Sequence, residues 1–105
     1  MSDKDPNVVF TYTTQQAIAD GVFFEPYPQR WPALLITSAV NSICSTQENR
    51  SFDESLIPLL IDCVMKVRST KKRDWPLVLE HTVVGTAWIM PNDIGGITVM
   101  LPSDY

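Results

Sequence analysis

Histidine, cysteine and glycine are scarce in this chain, and each scarcity removes a chemistry. The 105 residues contain one histidine, two cysteines and four glycines. A single histidine, His81, with no clustered carboxylates around it in the sequence leaves no set of metal ligands. Cys44 and Cys63 form no CxxC pair, which excludes a zinc knuckle and a thioredoxin-type redox motif. Both fall in helix-like segments without an adjacent basic residue to lower the thiol pKa, so they read as buried free thiols of a reducing compartment. The paired Gly95 and Gly96 of "PNDIGG" lack the spaced glycines and lysine of a phosphate loop and precede a strand instead of a helix. They read as a hairpin turn. No apolar run approaches the ~18 residues of a membrane span. The polar opening "MSDKDPN" carries no apolar stretch behind it, so the expectation is a cytoplasmic protein of a bacterium or virus without a secretory signal. No repeat and no low-complexity segment appears.

Basic residues are also the minority. Eight Lys and Arg stand against twelve Asp and Glu, a net charge of -4 and an estimated pI of 4.7. Such a balance gives no general attraction to nucleic acid or to anionic lipid; it serves solubility first and suits a basic protein surface second. With 45% hydrophobic and 19% charged residues the chain is an ordinary globule, long enough for one domain with one modest core. The expected organisation is a flexible tail over residues 1–7 and a single domain over 8–105.

Within that domain, "VVFTYT" (Val8–Thr13) reads as a strand. Thr13 and Gln16 have capping-box spacing at the head of a short helix, "TQQAIAD", which Gly21 stops. "VFFEPYPQRWP" (Val22–Pro32) holds three prolines and reads as a connecting loop. Pro32 suits the first turn of a second helix, Ala33 to about Cys44, with Leu35, Ala39, Ser42 and Ile43 on one stripe. After the polar break "STQENRS", Ser51 and Glu54 form a second capping box. That box opens a third helix to about Arg68, with Leu56, Leu59, Leu60, Cys63 and Val67 inward; Pro58 either starts or kinks it. "LVLEHTVV" reads as a strand with Leu77, Leu79, His81 and Val83 on one face. "TAWIM" and "ITVML" follow as two more strands around the "PNDIGG" turn. The expected fold is therefore α+β: three helices packed on a small antiparallel β-sheet with a C-terminal meander.

Candidate functional residues are few. The aromatic proline loop "FFEPYPQRW" offers Tyr27, Arg30 and Trp31, residue types that dominate protein-binding hot spots. The competing reading is that Phe23, Phe24 and Trp31 close the core over the sheet. Asp53, Glu54 and Asp93, with Asp62 and Asp104, supply negative charge that a basic partner would meet. His81 needs a nucleophile or an orienting carboxylate to act as a base, and Asp62, Asp74, Asp93 and Glu80 are the candidates in chain order. It reads more simply as a histidine hydrogen-bonded within or at the edge of the sheet. Lys71–Arg73, with Lys66 and Arg68, reads as a solvated cluster that favours a helix C-terminus.

Three segments resemble one known family in order. "YTTQQAIADGV" resembles the "YTRxQAIxDGV" opening of the domain of unknown function 6573 family, "WPALLITSAV" its "YPVAxTRAVW" segment, and "GGITVMLPSDY" its "xxITIMLPxED" ending. The resemblance spans Tyr12 to Asp104. It departs at Thr14 and Ser38, where the family carries arginine, and at Asn41, where tryptophan is common. It implies a small cytosolic protein of plasmids, phages and other mobile genetic elements, with no catalytic residues to carry over. By analogy with accessory genes of such elements, it implies a non-enzymatic protein-binding module, most concretely an inhibitor of a host defence nuclease of the anti-CRISPR or anti-restriction type. The inhibitor would act by steric blocking of the effector, without cofactor, metal, membrane or direct nucleic-acid binding. The alternatives are a small enzyme using His81 and a structural protein that forms a homodimer through an exposed "TAWIM" strand edge.

Overall fold

A computed structural model describes residues 14–71 and 74–104. The expected tail, the strand Val8–Thr13, the capping hydroxyl of Thr13 and the basic residues Lys72 and Arg73 lie outside the described residues. Helix α1 spans Thr14–Ala19. It ends as the sequence predicts: Gly21 adopts φ 76°, its N–H donates to Ile18 O at 3.1 Å, and Val22 N–H donates to Ala17 O at 2.8 Å. This pair of bonds is a Schellman stop, which needs a left-handed residue at its corner.

The next segment departs from expectation twice. Phe23–Phe24 is not loop but a short strand, β1, antiparallel to a second strand, β2, at Leu35–Thr37. The predicted helix from Ala33 to Cys44 is therefore divided. Its first residues are strand, and helix α2 runs only over Ser38–Ser45. The cause is visible at both ends of β2. Ala33 sits at φ 62°, a left-handed conformation that no helix can contain. Leu34, Leu35 and Ile36 are all buried in succession, as an interior strand covered on both faces requires and a one-sided helix does not. Thr37 then turns the chain, with extended backbone and a hydroxyl that accepts Val40 N–H at 3.4 Å. The inward residues of α2 are Val40 and Cys44 instead of the predicted stripe.

Helix α3 spans Phe52–Ser69 and carries the predicted capping box complete: Ser51 Oγ accepts Glu54 N–H and the Glu54 carboxylate accepts Ser51 N–H. Pro58 lies inside this helix, so it does not start it. Strands β3 (Leu77–His81), β4 (Gly85–Pro91) and β5 (Ile97–Met100) form the expected antiparallel meander.

The α+β architecture holds, with three helices among the described residues and five strands in the order β1-β2-β5-β4-β3. The sheet is mixed, not antiparallel throughout, because β2 pairs parallel to β5. Register builds the core directly. Leu77, Ile89, Val99, Ile36 and Phe24 are successive cross-strand partners, so one row crosses all five strands on one face. That row packs with Val40 and Cys44 of α2 and with Leu56, Leu59, Leu60 and Cys63 of α3. "TAWIM" lies in β4, an interior strand. It therefore offers no free edge for a dimer, and β3 holds that position on the meander side.

Candidate protein-docking surface

The loop between β1 and β2 is held shut from within. The Glu25 carboxylate accepts Ala33 N–H at 2.8 Å. Trp31 N–H donates to Tyr27 O at 2.8 Å, and Leu34 N–H to Trp31 O at 3.2 Å. These bonds turn three prolines and two aromatics into a compact bulge. Tyr27 and Trp31 meet edge to face, ring centroids 5.8 Å apart at 78°, and the Arg30 guanidinium lies 4.6 Å from the Trp31 ring centroid. A cation on an indole face is an attractive contact that also holds the guanidinium in place.

Tyr27 reaches outward from the loop to α3. Its phenol donates to Asp53 Oδ1, at the second position of that helix. Burial, followed by the hydrogen bond and negative charge of Asp53, holds the phenol protonated far above its ordinary range. The core-closing expectation holds for Phe24 and Trp31 but not in full. Phe24, Tyr27 and Trp31 pack their inner edges against the core, while Arg30 is exposed and Tyr27 and Trp31 are only half-buried.

The outer edge of Trp31 borders a slot of about 210 Å³, closed by Arg30, Ile61, Val64, Met65 and Arg68. Pockets for free small molecules run to about 300–1,000 Å³. This one is smaller. The contribution of α3 to it is absent from the sequence-based candidates. The signal was the nearly unbroken apolar run Leu59–Met65, which exceeds what a single inward stripe needs.

Of the predicted contact residues, Tyr27, Arg30, Trp31 and Asp53 come together, with Glu54 next along the helix. Asp93 stands apart on the β4–β5 turn. Its carboxylate takes a hydrogen bond from Thr14 Oγ1 and hydrogen-bonds to none of the loop residues. All five carboxylates proposed to face a basic partner are engaged inside the chain. Asp53 holds Tyr27, Glu54 holds Ser51, and Asp62 lies 3.4 Å from His81. Asp93 holds Thr14, and Asp104 holds both Thr37 Oγ1 at 2.7 Å and Leu101 N–H at 2.9 Å.

His81 ends the edge strand β3. Its Nδ1 accepts Val83 N–H at 3.3 Å and its Nε2 faces Asp62. Neither nitrogen is hydrogen-bonded to a hydroxyl or thiol among the described residues. Cys44 and Cys63 are fully buried. Burial raises the Cys44 thiol and, with the charge of Asp62 added, pushes Cys63 up to about 12, which leaves neither nucleophilic at neutral pH. Among the described residues no group of three His, Cys, Asp or Glu side chains is arranged to hold a metal ion. No helix there is long and apolar enough to cross a membrane. No family model, curated protein sequence or solved structure matches the chain.

Proposed function

We propose that the chain is a non-enzymatic protein-binding module that contacts its partner through the loop Pro26–Trp31 and the adjoining flank of α3. The observation that supports this most directly is the Arg30–Trp31 stack beside a slot sized for one side chain. An aromatic anchor and a held guanidinium around a small apolar recess are the makings of a binding hot spot.

The narrower reading is an inhibitor of a bacterial defence nuclease, of CRISPR or restriction type, acting in the cytoplasm for a mobile element. It rests on the resemblance over Tyr12–Asp104. The engaged carboxylates favour shape over charge mimicry within that reading. A side chain already bonded to its own chain is poorly placed to imitate a phosphate, and a net charge of -4 is small for such mimicry.

The test is affinity capture with the tagged protein from lysates containing restriction and CRISPR effector complexes, at low and high salt, followed by cleavage assays with whatever effector is retained. Near-stoichiometric retention of one effector, persisting in high salt and lost in Arg30→Ala, supports the proposal. Retention unaffected by Arg30→Ala and Trp31→Ala removes the loop from it. Absence of any retained effector removes the nuclease reading.

A further inference from the structure

Helix α3 is apolar on two opposite sides. The inward stripe of Leu56, Leu59, Leu60 and Cys63 is fully buried. At about 100° per residue, Ile61 points almost directly away from Cys63. Ile57, Pro58, Ile61 and Met65 share that outward side, with Val64 at its flank. Ile61 and Met65 are 39% and 58% exposed, one turn apart, and are two of the five large hydrophobic residues that the described chain leaves exposed. A solvent-facing side of a helix in a soluble fold is ordinarily polar. Polar residues bound the side at its ends, Glu54 with Arg50 toward the N-terminus and Arg68 toward the C-terminus, and the exposed Asp62, which faces His81, lies on one flank beside Ile61.

The order of those residues is symmetric about Ile61. Ile57 stands four residues before it and Met65 four after; Glu54 stands seven before and Arg68 seven after. We propose that this side of α3 pairs with the same side of a second copy, the two helices antiparallel about a twofold axis at Ile61. In that arrangement Ile61 meets Ile61, Met65 meets Ile57, and Arg68 meets Glu54, the charged pairs lying about 10.5 Å along the helix on either side of the axis.

Opposite charges thus fall together at both ends, where a parallel pairing would set Glu54 on Glu54 and Arg68 on Arg68. One oxygen of Glu54 is committed to Ser51 N–H at 2.8 Å, and the other is free to accept from the guanidinium of the second copy. The recesses fit the same register. Arg50, Asp53, Glu54, Ile57 and Pro58 line a shallow hollow of about 520 Å³, which receives the long, adaptable Met65 of the other chain. Helices packed this way approach to 8–10 Å at small crossing angles; the loop residues Arg30 and Trp31 border this side at Ile61, Val64 and Met65. The pairing takes Ile61, Met65 and Arg68, which also wall the Trp31 slot, so a partner seated in that slot competes with the second copy for this flank of α3.

One helix face is a small interface, so the dimer dissociates on the order of micromolar concentration. Sedimentation velocity of the full chain across roughly three decades of concentration around 10 μM is the first test. Concentration-dependent dimerisation is expected, weakened at least about tenfold in Ile61→Glu, which sets two carboxylates on the axis. The melting temperature of that variant's monomer is expected to match that of the wild-type monomer, since Ile61 lies outside the core. Cysteine cross-linking then reads the register under mild oxidation. Ile61→Cys links to itself, while Ile57→Cys and Met65→Cys link when mixed and not alone. A wild-type monomer at every concentration overturns the proposal. So does an Ile61→Glu variant that dimerises normally, or an Ile57→Cys variant that links to itself.

Discussion

Tyr27 donates its phenolic proton to Asp53, 26 residues further along the chain, and so fastens the aromatic loop to the first turn of α3. The bond explains why a proline-rich segment with few backbone partners keeps one shape. It also joins two of the predicted contact residues that the sequence could only place in separate elements.

Tyr27→Phe keeps the ring and its edge contact with Trp31 but removes that bond. The expected loss is about 1 kcal/mol of unfolding free energy, since the ring burial is retained. Asp53 then loses its partner and the loop its tether. Denaturant unfolding measures the first effect, and the accessibility of Trp31 to a soluble quencher, expected to rise, measures the second. Unchanged quenching would mean that the internal loop bonds suffice without the tether.

Glu54 makes stability fall in acid. Hydrogen bonds from the Ser51 backbone, and then from its side chain, lower the carboxyl pKa below the ordinary 4.5. The unfolded chain therefore takes up this proton first as pH falls. The stabilisation is complete above pH 4.5 and disappears as pH drops through the lower folded value. Urea titrations between pH 6 and pH 3 are expected to show a shallower acid slope for Glu54→Gln than for wild type.

Gly96 is required by contact. A Cβ on it would stand 2.1 Å from the carbonyl oxygen of Ala33, a residue whose carbonyl also accepts Asn92 Nδ2 at 2.9 Å. Gly96→Ala is expected to cost at least about 1–3 kcal/mol, the range of overpacking. Ala33→Gly goes the other way. It relieves about 1–2 kcal/mol of left-handed strain but gives back roughly 0.5–1 kcal/mol in backbone entropy, leaving stability level or slightly raised. Thermal melts of the two variants are expected in that order about the wild type.

Ser55 is buried in α3 with its hydroxyl unpartnered among the described residues. Ser55→Ala removes a desolvated polar atom and improves helix propensity. A gain on the order of 1 kcal/mol is expected from denaturant unfolding. A loss of similar size would show that the hydroxyl has a partner in solution.

Much of the frame was legible because it is written in short-range chemistry. The capping box of Ser51 and Glu54, the glycine stop at Gly21 and the turn "PNDIGG" each bond within a few residues. The end of α1, the start of α3 and the β4–β5 hairpin were therefore readable from the chain. Tyr27, Arg30 and Trp31 could be singled out by residue type, while the chain did not show that Tyr27 and Trp31 also pack against the core. The strand β2 was not readable. Three apolar residues after a proline look like the start of a helix, and only pairing with Phe23–Phe24 on one side and Thr98–Val99 on the other makes them strand. That pairing joins residues more than sixty positions apart on the β5 side, where no local preference acts.

The same distinction governs the candidate surfaces. Composition determined that the chain is acidic, and periodicity that α3 has a buried stripe. The fold decided that the acids are spent on Tyr27, Ser51, His81, Thr14 and Thr37. It also decided which side of a helix apolar on two faces is left to solvent. A carboxylate's partner, and a helix's outward side, depend on what the rest of the chain brings against it, and sequence separation carries no record of that.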